Sequence, residues 1–311
     1  ANRDVNIGGE AAFIGNAGAL VGGVFAKGSV AVGAGANVSN NTGNGIKATG
    51  SVVIGADETA ENRDFILSGN VATSGAGVSA GKVVINGSLI ANDNTATEGK
   101  GSAIEATGVA ILGSVQASNN TAAAEGGAIY SKGDVTIGEG ESSFVGNSAS
   151  RGGAIYAAGY AVEVAGSLNA SKNSASKDAG AIYAQRLSVG GDLTANENVA
   201  TTHAGAVRVV STLEVGGSAT LQGNAAGGSY GAAYVGEAFD VKENVNFSNN
   251  SAGSEIGAFY AKSANVGGNL EVGGNSANGS YGGAYVVGAM KITGDATFSD
   301  NEAVEGYFGA L

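Results

Sequence analysis

FVGNSASRGGAIY, residues Phe144–Tyr156, is the stretch that decides the fold, because near-copies of it recur along the chain. Phe247–Tyr260 reads FSNNSAGSEIGAFY, and Phe298–Leu311 reads FSDNEAVEGYFGAL. Alignment on the central Asn gives a repeat of about 26 residues, and twelve copies fill the chain. A period of this length is typical of solenoid proteins. The aligned residues are Asn16, Asn41, Asn70, Asn94, Asn120, Asn147, Asn173, Asn198, Asn224, Asn250, Asn275 and Asn301.

Two apolar positions upstream of the Asn indicate strands with one buried face. The position three residues before the Asn is apolar in every copy, as at Phe144. About nine or ten residues before the Asn stands a second apolar position, and the residue two before that is usually apolar too, as in Val135 and Ile137. The residue between them, here Thr136, varies freely. Apolar–polar–apolar alternation predicts a short strand that buries alternate side chains.

The GGAIY segment supplies a third strand. Its Ile position is apolar in all copies, which predicts that it points inward. The next position accepts Lys, Glu, Ser and Arg as well as Tyr, which predicts that it faces solvent. The predicted inward residues are Leu20, Ile46, Val78, Ile104, Ile129, Ile155, Ile182, Val207, Ala233, Phe259, Tyr285 and Leu311.

Three short strands per repeat, separated by Gly- or Asn-rich corners, predict an all-β fold: a right-handed single-stranded parallel β-helix. Residues 1–311 would form a single domain, a three-sided solenoid of about twelve coils in which each strand pairs with its counterpart one coil along. At a strand spacing of about 4.8 Å, the rod would be on the order of 58 Å long. We expect one extra loop near Ala56–Asp64, where the spacing between repeats is widest.

The repeated Asn has a structural use that needs no catalysis. Side-chain amides stacked at one strand spacing can donate to one neighbouring coil and accept from the other, forming a ladder along the axis. Asn also tolerates the left-handed backbone that sharp corners need. Asp in its place would stack twelve like charges at the same spacing. We therefore predict a structural Asn ladder.

Composition limits the possible partners. The formal net charge of −12 argues against binding to nucleic acid and predicts repulsion from anionic membrane surfaces. The chain has no apolar run of the length that a membrane-spanning helix needs, so we predict no direct membrane span. With no Cys, it has neither disulfides nor thiolate metal ligands.

Few residues suggest a catalytic, cofactor or metal site, and we predict none of these. Gly pairs such as Gly152-Gly153 lack the Lys and the helix of a phosphate-binding loop, so they are interpreted as corner residues that adopt positive φ. The lone His203 is interpreted as a surface corner residue rather than a metal ligand. Acidic residues near Ala56–Asp64 lack the regular spacing of calcium-binding solenoids, although weak Ca²⁺ binding stays open. Arg is scarce and shares no face with paired carboxylates, which argues against the carbohydrate-active β-helix enzymes.

One outward-facing column carries aromatic residues. Its members should stack on one another across the coils, which would stabilise adjacent strands. They would also form an exposed stripe of the kind that marks a partner surface. Both interpretations stay open. The stripe consists of Tyr130, Tyr156, Tyr183, Arg208, Tyr234 and Tyr260.

The repeated pair of motifs FxxN and GGA[ILV], in that order, resembles the chlamydial polymorphic membrane proteins and their relatives. The full pair appears from Phe144 to Ile155, and partial copies run from Phe247 to Phe259 and from Phe298 to Leu311. The resemblance covers essentially the whole chain. It implies an autotransporter passenger built as a parallel β-helix and displayed on the bacterial outer surface, where several members act as adhesins.

These observations favour an extracellular bacterial structural or adhesive protein. The chain begins just before its first strand and stops after its last, without a polar cap. We therefore expect that copies can stack head-to-tail through the end coils into a filament. The alternative is a monomeric autotransporter passenger adhesin that binds a host or matrix ligand. A polysaccharide-active β-helix enzyme is the third, less favoured hypothesis.

Overall fold

A computed structural model describes the whole chain from Ala1 to Leu311, and it contains β-strands without any helix. Each strand pairs in parallel with its counterparts one coil before and one coil after; Val83, for example, pairs with Val52 and Val109. The sequence prediction is confirmed: the chain is an all-β parallel solenoid of about twelve coils, spaced about 26 residues apart.

The first face of the solenoid consists of the apolar–polar–apolar strands. In Val135–Ile137 the two outer residues are buried and Thr136 is exposed, so alternate side chains fill the interior. The separate strands of this face are Val5–Ile7, Val30–Val32, Ser51–Ile54, Lys82–Ile85, Val109–Ile111, Val135–Ile137, Leu213–Val215 and Met290–Ile292.

The second face is a sheet of twelve strands that leads to the Asn corner. It buries the position three residues before the Asn in all coils except the first and last, where Phe13 and Phe298 are partly buried; Phe144 is completely buried. Its strands are Ala11–Ile14, Ala36–Ser39, Phe65–Ser68, Leu89–Asn92, Val115–Ser118, Ser142–Val145, Leu168–Asn169, Leu193–Thr194, Ala219–Gln222, Val245–Ser248, Leu270–Gly273 and Ala296–Ser299.

The third face carries the GGAIY-like segments. Its separate strands are Val78–Ser79, Ile104–Ala106, Ile129–Ser131, Val207–Val209 and Tyr285–Val286. In four further coils one strand runs on from the third face into the first face: Ile155–Val164, Ile182–Val189, Ala233–Val241 and Phe259–Val266.

A fourth strand position, which the sequence analysis did not predict, follows the Asn in most coils. It is only two residues long, and its Ala side chain is buried, as at Ala149. In the first two coils it merges with the third face in the strands Ala17–Ala26 and Thr42–Ala48. The separate strands are Val71–Ala72, Thr95–Ala96, Thr121–Ala122, Ser148–Ala149, Ser174–Ala175, Val199–Ala200, Ala225–Ala226, Ser251–Ala252, Ser276–Ala277 and Glu302–Ala303.

One hydrophobic cluster of 65 buried residues runs through the solenoid. Three of its Phe residues pack together: Phe247 lies 4.5 Å from Phe259 and 5.7 Å from Phe239, measured between ring centroids. The predicted extra loop is present as residues 55–64 between two strands of successive faces. It folds back along the rod, because the Asn62 Nδ2 donates to Glu10 Oε1 at 3.0 Å.

The prediction of inward residues on the third face is wrong at two positions. Leu20 is 73% exposed. Leu311 keeps the inward register beside Ala284, whose N–H donates to the Ala310 carbonyl, and is 51% exposed in the last coil. In the first coil Val24, rather than Leu20, pairs with Ile46. Tyr285 pairs with Tyr260, so it belongs to the outward column. The alignment followed the Gly-Ala match, whereas the distance from the preceding ladder Asn gives the correct register for Tyr285.

Candidate functional site

The twelve aligned Asn residues form a continuous hydrogen-bonded ladder along one corner of the rod. The Nδ2 of each Asn donates to the Oδ1 of the next, at 2.9 to 3.2 Å between the two atoms. The backbone N–H of the same Asn donates to the same Oδ1, which fixes the orientation of every side-chain amide.

The second Nδ2 hydrogen of the ladder Asn is also used. In most coils it donates to the carbonyl of the residue three positions before the previous ladder Asn; Asn147 donates in this way to Ala117 at 3.0 Å. The Asn147 side chain therefore makes four hydrogen bonds to its neighbouring coils, and the residue is completely buried. Such an amide is saturated with protein partners, so its role is structural.

The left-handed corner lies one residue earlier than the sequence analysis placed it. In every coil the residue just before the ladder Asn has positive φ, whereas the ladder Asn does not. Five of these residues are Gly and the others are mostly Asn or Asp, the types that adopt this conformation at least cost. They are Gly15, Asn40, Gly69, Asp93, Asn119, Gly146, Lys172, Glu197, Gly223, Asn249, Gly274 and Asp300.

The predicted stripe lies in register on the third face. Tyr130 pairs with Tyr156 and Tyr156 with Tyr183, while Arg208 pairs with Tyr183 on one side and Tyr234 on the other. The pairing continues from Tyr234 to Tyr260. It then reaches Tyr285, which the sequence analysis missed.

Neighbouring Tyr rings of the stripe stack on one another through their faces. Tyr130 and Tyr156 are stacked with centroids 5.7 Å apart and an angle of 10° between planes. Tyr234 and Tyr260 are stacked at 5.2 Å and 6°. Offset stacking of this kind stabilises the pair beyond the burial of area. What these rings offer to solvent is therefore their edges and hydroxyl groups.

Tyr130 is not an exposed member of the stripe, contrary to the prediction. Its side chain is only 6% exposed, because Lys100 covers it. The Lys100 Nζ lies 4.4 Å from the ring centroid, donates to the Tyr130 hydroxyl at 3.0 Å and pairs with Glu125 at 3.2 Å. Burial opposes the charge of Lys100, but its hydrogen bonds to Tyr130 and Glu125 outweigh burial and raise its pKa. The other predicted members are partly exposed.

Arg208 interrupts the Tyr stack and occupies the same register position. Its guanidinium carbon lies 5.4 Å from the Tyr183 ring centroid and 5.1 Å from that of Tyr234, within the range of cation–π attraction. Its Nε is covered and has no hydrogen-bond partner, and Arg208 takes part in none of the five ion pairs. Arg208 is therefore a partly exposed cation without an acidic partner.

Tyr230 and His203 lie at the corner that precedes the stripe. The Tyr230 ring is 5.0 Å from Tyr234, 5.8 Å from Tyr260 and 6.1 Å from the His203 ring. Burial raises the pKa of Tyr230, as it does for Tyr156. His203 is a corner residue, and its Nδ1 accepts the backbone N–H of Ser229 at 3.2 Å.

The other residues considered as candidate phosphate or metal sites have contacts that serve the fold. Gly152 has positive φ, and at Gly153 an added Cβ would overlap the carbonyl oxygen of Gly180, so both glycines are needed by the turn. In the acidic loop, Asp64 accepts the backbone N–H of Ser88 at 2.8 Å. The structure contains no group of three or more His, Cys, Asp or Glu side chains that could hold a metal ion. It also contains no helix that could span a membrane.

No family model matches the chain, and neither curated proteins nor solved structures include a significant match to it. The Asn ladder and the Tyr–Arg stripe are therefore interpreted from their own geometry.

Proposed function

We propose that this chain is a bacterial cell-surface or extracellular protein with a structural and adhesive role and no catalytic activity. In this proposal the solenoid is a rigid rod, and the stripe on its third face contacts a host or matrix ligand. The observation that carries the proposal is the in-register row of Tyr156, Tyr183, Arg208, Tyr234 and Tyr260, all partly exposed, on consecutive coils.

The interior of the rod supports a mechanical role. A continuous core and a ladder of buried amides link each coil to both neighbours. Bending would lengthen hydrogen bonds on one side of the rod and compress packed side chains on the other, and protein interiors resist compression. A rod of this kind holds side chains at fixed positions, so binding of a ligand costs little conformational entropy of the protein side chains.

The composition of the stripe supports binding. Tyr and Arg are the residue types most enriched at the centres of protein interfaces, because they offer large contact areas together with hydrogen-bond donors. Since the ring faces are occupied within the stack, we expect a ligand to contact hydroxyl groups and ring edges. The resemblance to adhesive autotransporter passengers favours the same function.

The test compares two quadruple variants in binding to host cells and to matrix-coated surfaces. In the first, Tyr156, Tyr183, Tyr234 and Tyr260 are changed to Phe, which keeps the stacking area and removes the hydroxyl groups. We expect adhesion to fall by about tenfold or more, the size expected when several interfacial hydrogen bonds are lost.

The control changes Gln116, Ser143, Thr194 and Thr220 to Ala on the second face, where adhesion should be unchanged. Thermal unfolding of both variants establishes that they fold. Adhesion equal to that of the wild type in the Phe variant would contradict the proposed role of the stripe.

Head-to-tail association into a filament stays a prediction. Electron microscopy of the purified chain at high concentration separates the two forms, because fibres one coil wide require stacking and isolated short rods exclude it. The enzyme hypothesis makes a separate prediction: turnover of an acidic polysaccharide, which a purely adhesive protein does not show.

A further inference from the structure

We propose that Arg208, held between Tyr183 and Tyr234, is a binding site for a single carboxylate or sulfate group on an acidic sugar. This inference rests on the proposed use of the stripe as a binding surface and names the class of ligand that the stripe takes.

The first argument is the pairing of charges. Three cations close to the Tyr residues of the stripe have acidic partners: Lys100 and Arg151 pair with Glu125, and Lys262 pairs with Glu237 at 2.9 Å. Arg208 has none. The chain has a net charge of −12, so an unpaired cation on its binding surface attracts one negative group at that position only.

Acidic residues at the corner that precedes the stripe do not pair with Arg208. Asp178, at the corner one coil before His203, accepts a hydrogen bond from the Thr202 hydroxyl at 2.5 Å. Glu255 lies one coil after Tyr230, and its backbone carbonyl accepts the Tyr230 N–H at 2.9 Å. Neither carboxylate lies within ion-pair distance of the guanidinium.

The second argument is the presentation of the guanidinium. The guanidinium lies between the Tyr183 and Tyr234 rings, its Nε is buried without a hydrogen-bond partner, and the side chain as a whole is partly exposed. Planar guanidinium groups bind carboxylates and sulfates through two parallel hydrogen bonds. Because the rings already restrict the side chain, an incoming oxyanion meets a preorganised donor pair.

The backbone at the adjoining corner adds a third phenol to this cluster. Tyr230 has φ of 69°, at a corner where the neighbouring coils also have positive φ, at Ala204 and Ile256. The left-handed backbone is therefore a feature of this corner in successive coils. At Tyr230 it places a further ring against Tyr234 and Tyr260.

The ligand is more specifically a sugar with one charge. The site offers a single unpaired cation, and the net negative charge of the rod repels a polyanion. On both sides of Arg208 the stripe offers phenolic hydroxyl groups at about one strand spacing, which can donate to and accept from sugar hydroxyls. A sugar ring cannot stack on the Tyr faces, since these are occupied by neighbouring rings.

The experiment measures binding of 3′-sialyllactose, lactose and a heparin tetrasaccharide to the full chain by saturation-transfer NMR and calorimetry. We expect 3′-sialyllactose to bind and the other two probes to bind at least about tenfold more weakly, the size expected for a hydrogen bond to a charged group. Equal binding of lactose, or tighter binding of heparin, would overturn the proposal.

Variants at the site keep the test independent of folding. Arg208→Tyr completes the Tyr stack, so it should unfold at the same temperature as the wild type or higher and still lose binding of 3′-sialyllactose. Arg208→Lys keeps the charge without the planar donor pair and should bind with intermediate affinity. The matched control is Arg186→Gln, because Arg186 is already paired with Glu163. Retained binding by Arg208→Tyr would overturn the proposal.

The two proposals fail separately. If the chain does not bind 3′-sialyllactose but the Tyr→Phe variant still loses adhesion, the ligand class is wrong and the adhesive stripe stands. If 3′-sialyllactose binds through Arg208 while adhesion does not depend on the Tyr hydroxyls, the anion site stands and the proposed function is wrong.

Discussion

The Asn ladder and the Tyr–Arg stripe both run along the rod at one residue per coil, yet they differ in almost every other respect. The ladder keeps one residue type in twelve coils and lies almost entirely inside the protein. The stripe column mixes Tyr with Lys47, Ser79, Glu105 and Arg208, and most of it is partly exposed. A position whose every polar atom is bound by neighbouring coils tolerates one residue type, whereas a position facing solvent tolerates many.

This contrast shows how to separate structure from function in a repeat protein. A feature repeated in all coils is explained by the fold, because the fold is the only requirement that all coils share. A feature confined to a few coils, such as the aromatic run from Tyr130 to Tyr285, needs a local explanation. Arg208 is the sharpest local departure, since it replaces a ring in the middle of that run.

The largest effect should come from breaking the ladder. Asn147→Asp removes the two N–H donors of the side-chain amide and buries a carboxylate that faces the Oδ1 of Asn173. We expect the free energy of unfolding to fall by about 4 kcal/mol, since buried polar atoms lose partners and a charge is buried. Urea denaturation measures the change.

Asn6→Asp, on the exposed side of the first face, is the matched control and should change stability by less than about 0.5 kcal/mol. Hydrogen exchange should show that the loss of protection centres on the coils of Asn120, Asn147 and Asn173. A loss below about 1 kcal/mol for Asn147→Asp would mean that the ladder contributes little to stability.

An intermediate effect is expected at the two kinds of stripe position. Tyr130→Ser removes a buried ring and the partner of Lys100, and should cost about 2–4 kcal/mol. Tyr156→Ser removes a half-exposed ring and should cost about 1–2 kcal/mol. Thermal unfolding of the two variants compares them directly, and an equal loss would contradict the assignment of Tyr130 to the interior.

The smallest effect should be a decline in stability at alkaline pH. Burial raises the pKa of Tyr156 and Tyr230, so the folded state retains these protons after the unfolded chain has lost them. The pKa of Lys100 is also raised, and its contribution is present below its unfolded pKa and lost as pH rises through the folded one. All three groups therefore destabilise the fold above about pH 10.

The decline for each group should be well below about 1.4 kcal/mol per pH unit, because solvent screens partly exposed groups. Unfolding measured from pH 8 to pH 11 should show a shallower decline in the double variant Tyr156→Phe, Tyr230→Phe. The Asn ladder has no titrating group, so an unchanged decline in that variant would place the alkaline sensitivity outside these two phenols.

The sequence predicted the solenoid well because its rules are local and repeated. The same pattern recurs in each coil: an apolar residue at the position of Phe144 and an Asn three residues later. The two-residue strand after the Asn was missed because a strand that short has no periodicity, although its constant small residue was visible. The register of Tyr285 was missed because the alignment was anchored on the Gly-Ala pair, whereas the distance from the ladder Asn gives the register of the strand.

The site was harder to predict than the fold. The outward column itself could be identified from the polar residues that it accepts. The burial of Tyr130 depends on Lys100, which lies one coil away and belongs to no repeated pattern. The isolation of Arg208 likewise depends on which carboxylates reach it, and ion pairs between coils follow from side-chain geometry rather than from the repeat.

Every link of the Asn ladder donates in the same direction, from the N-terminal coil towards the C-terminal coil. The side-chain dipoles therefore add, and hydrogen bonds in such chains strengthen one another. Each coil also donates to the Oδ1 of the next coil in the same way that its own Oδ1 accepts from the coil before. A whole coil can accordingly be lost or duplicated without leaving an amide unpaired. The length of the rod can therefore change in steps of one repeat while the hydrogen bonds of the ladder are kept.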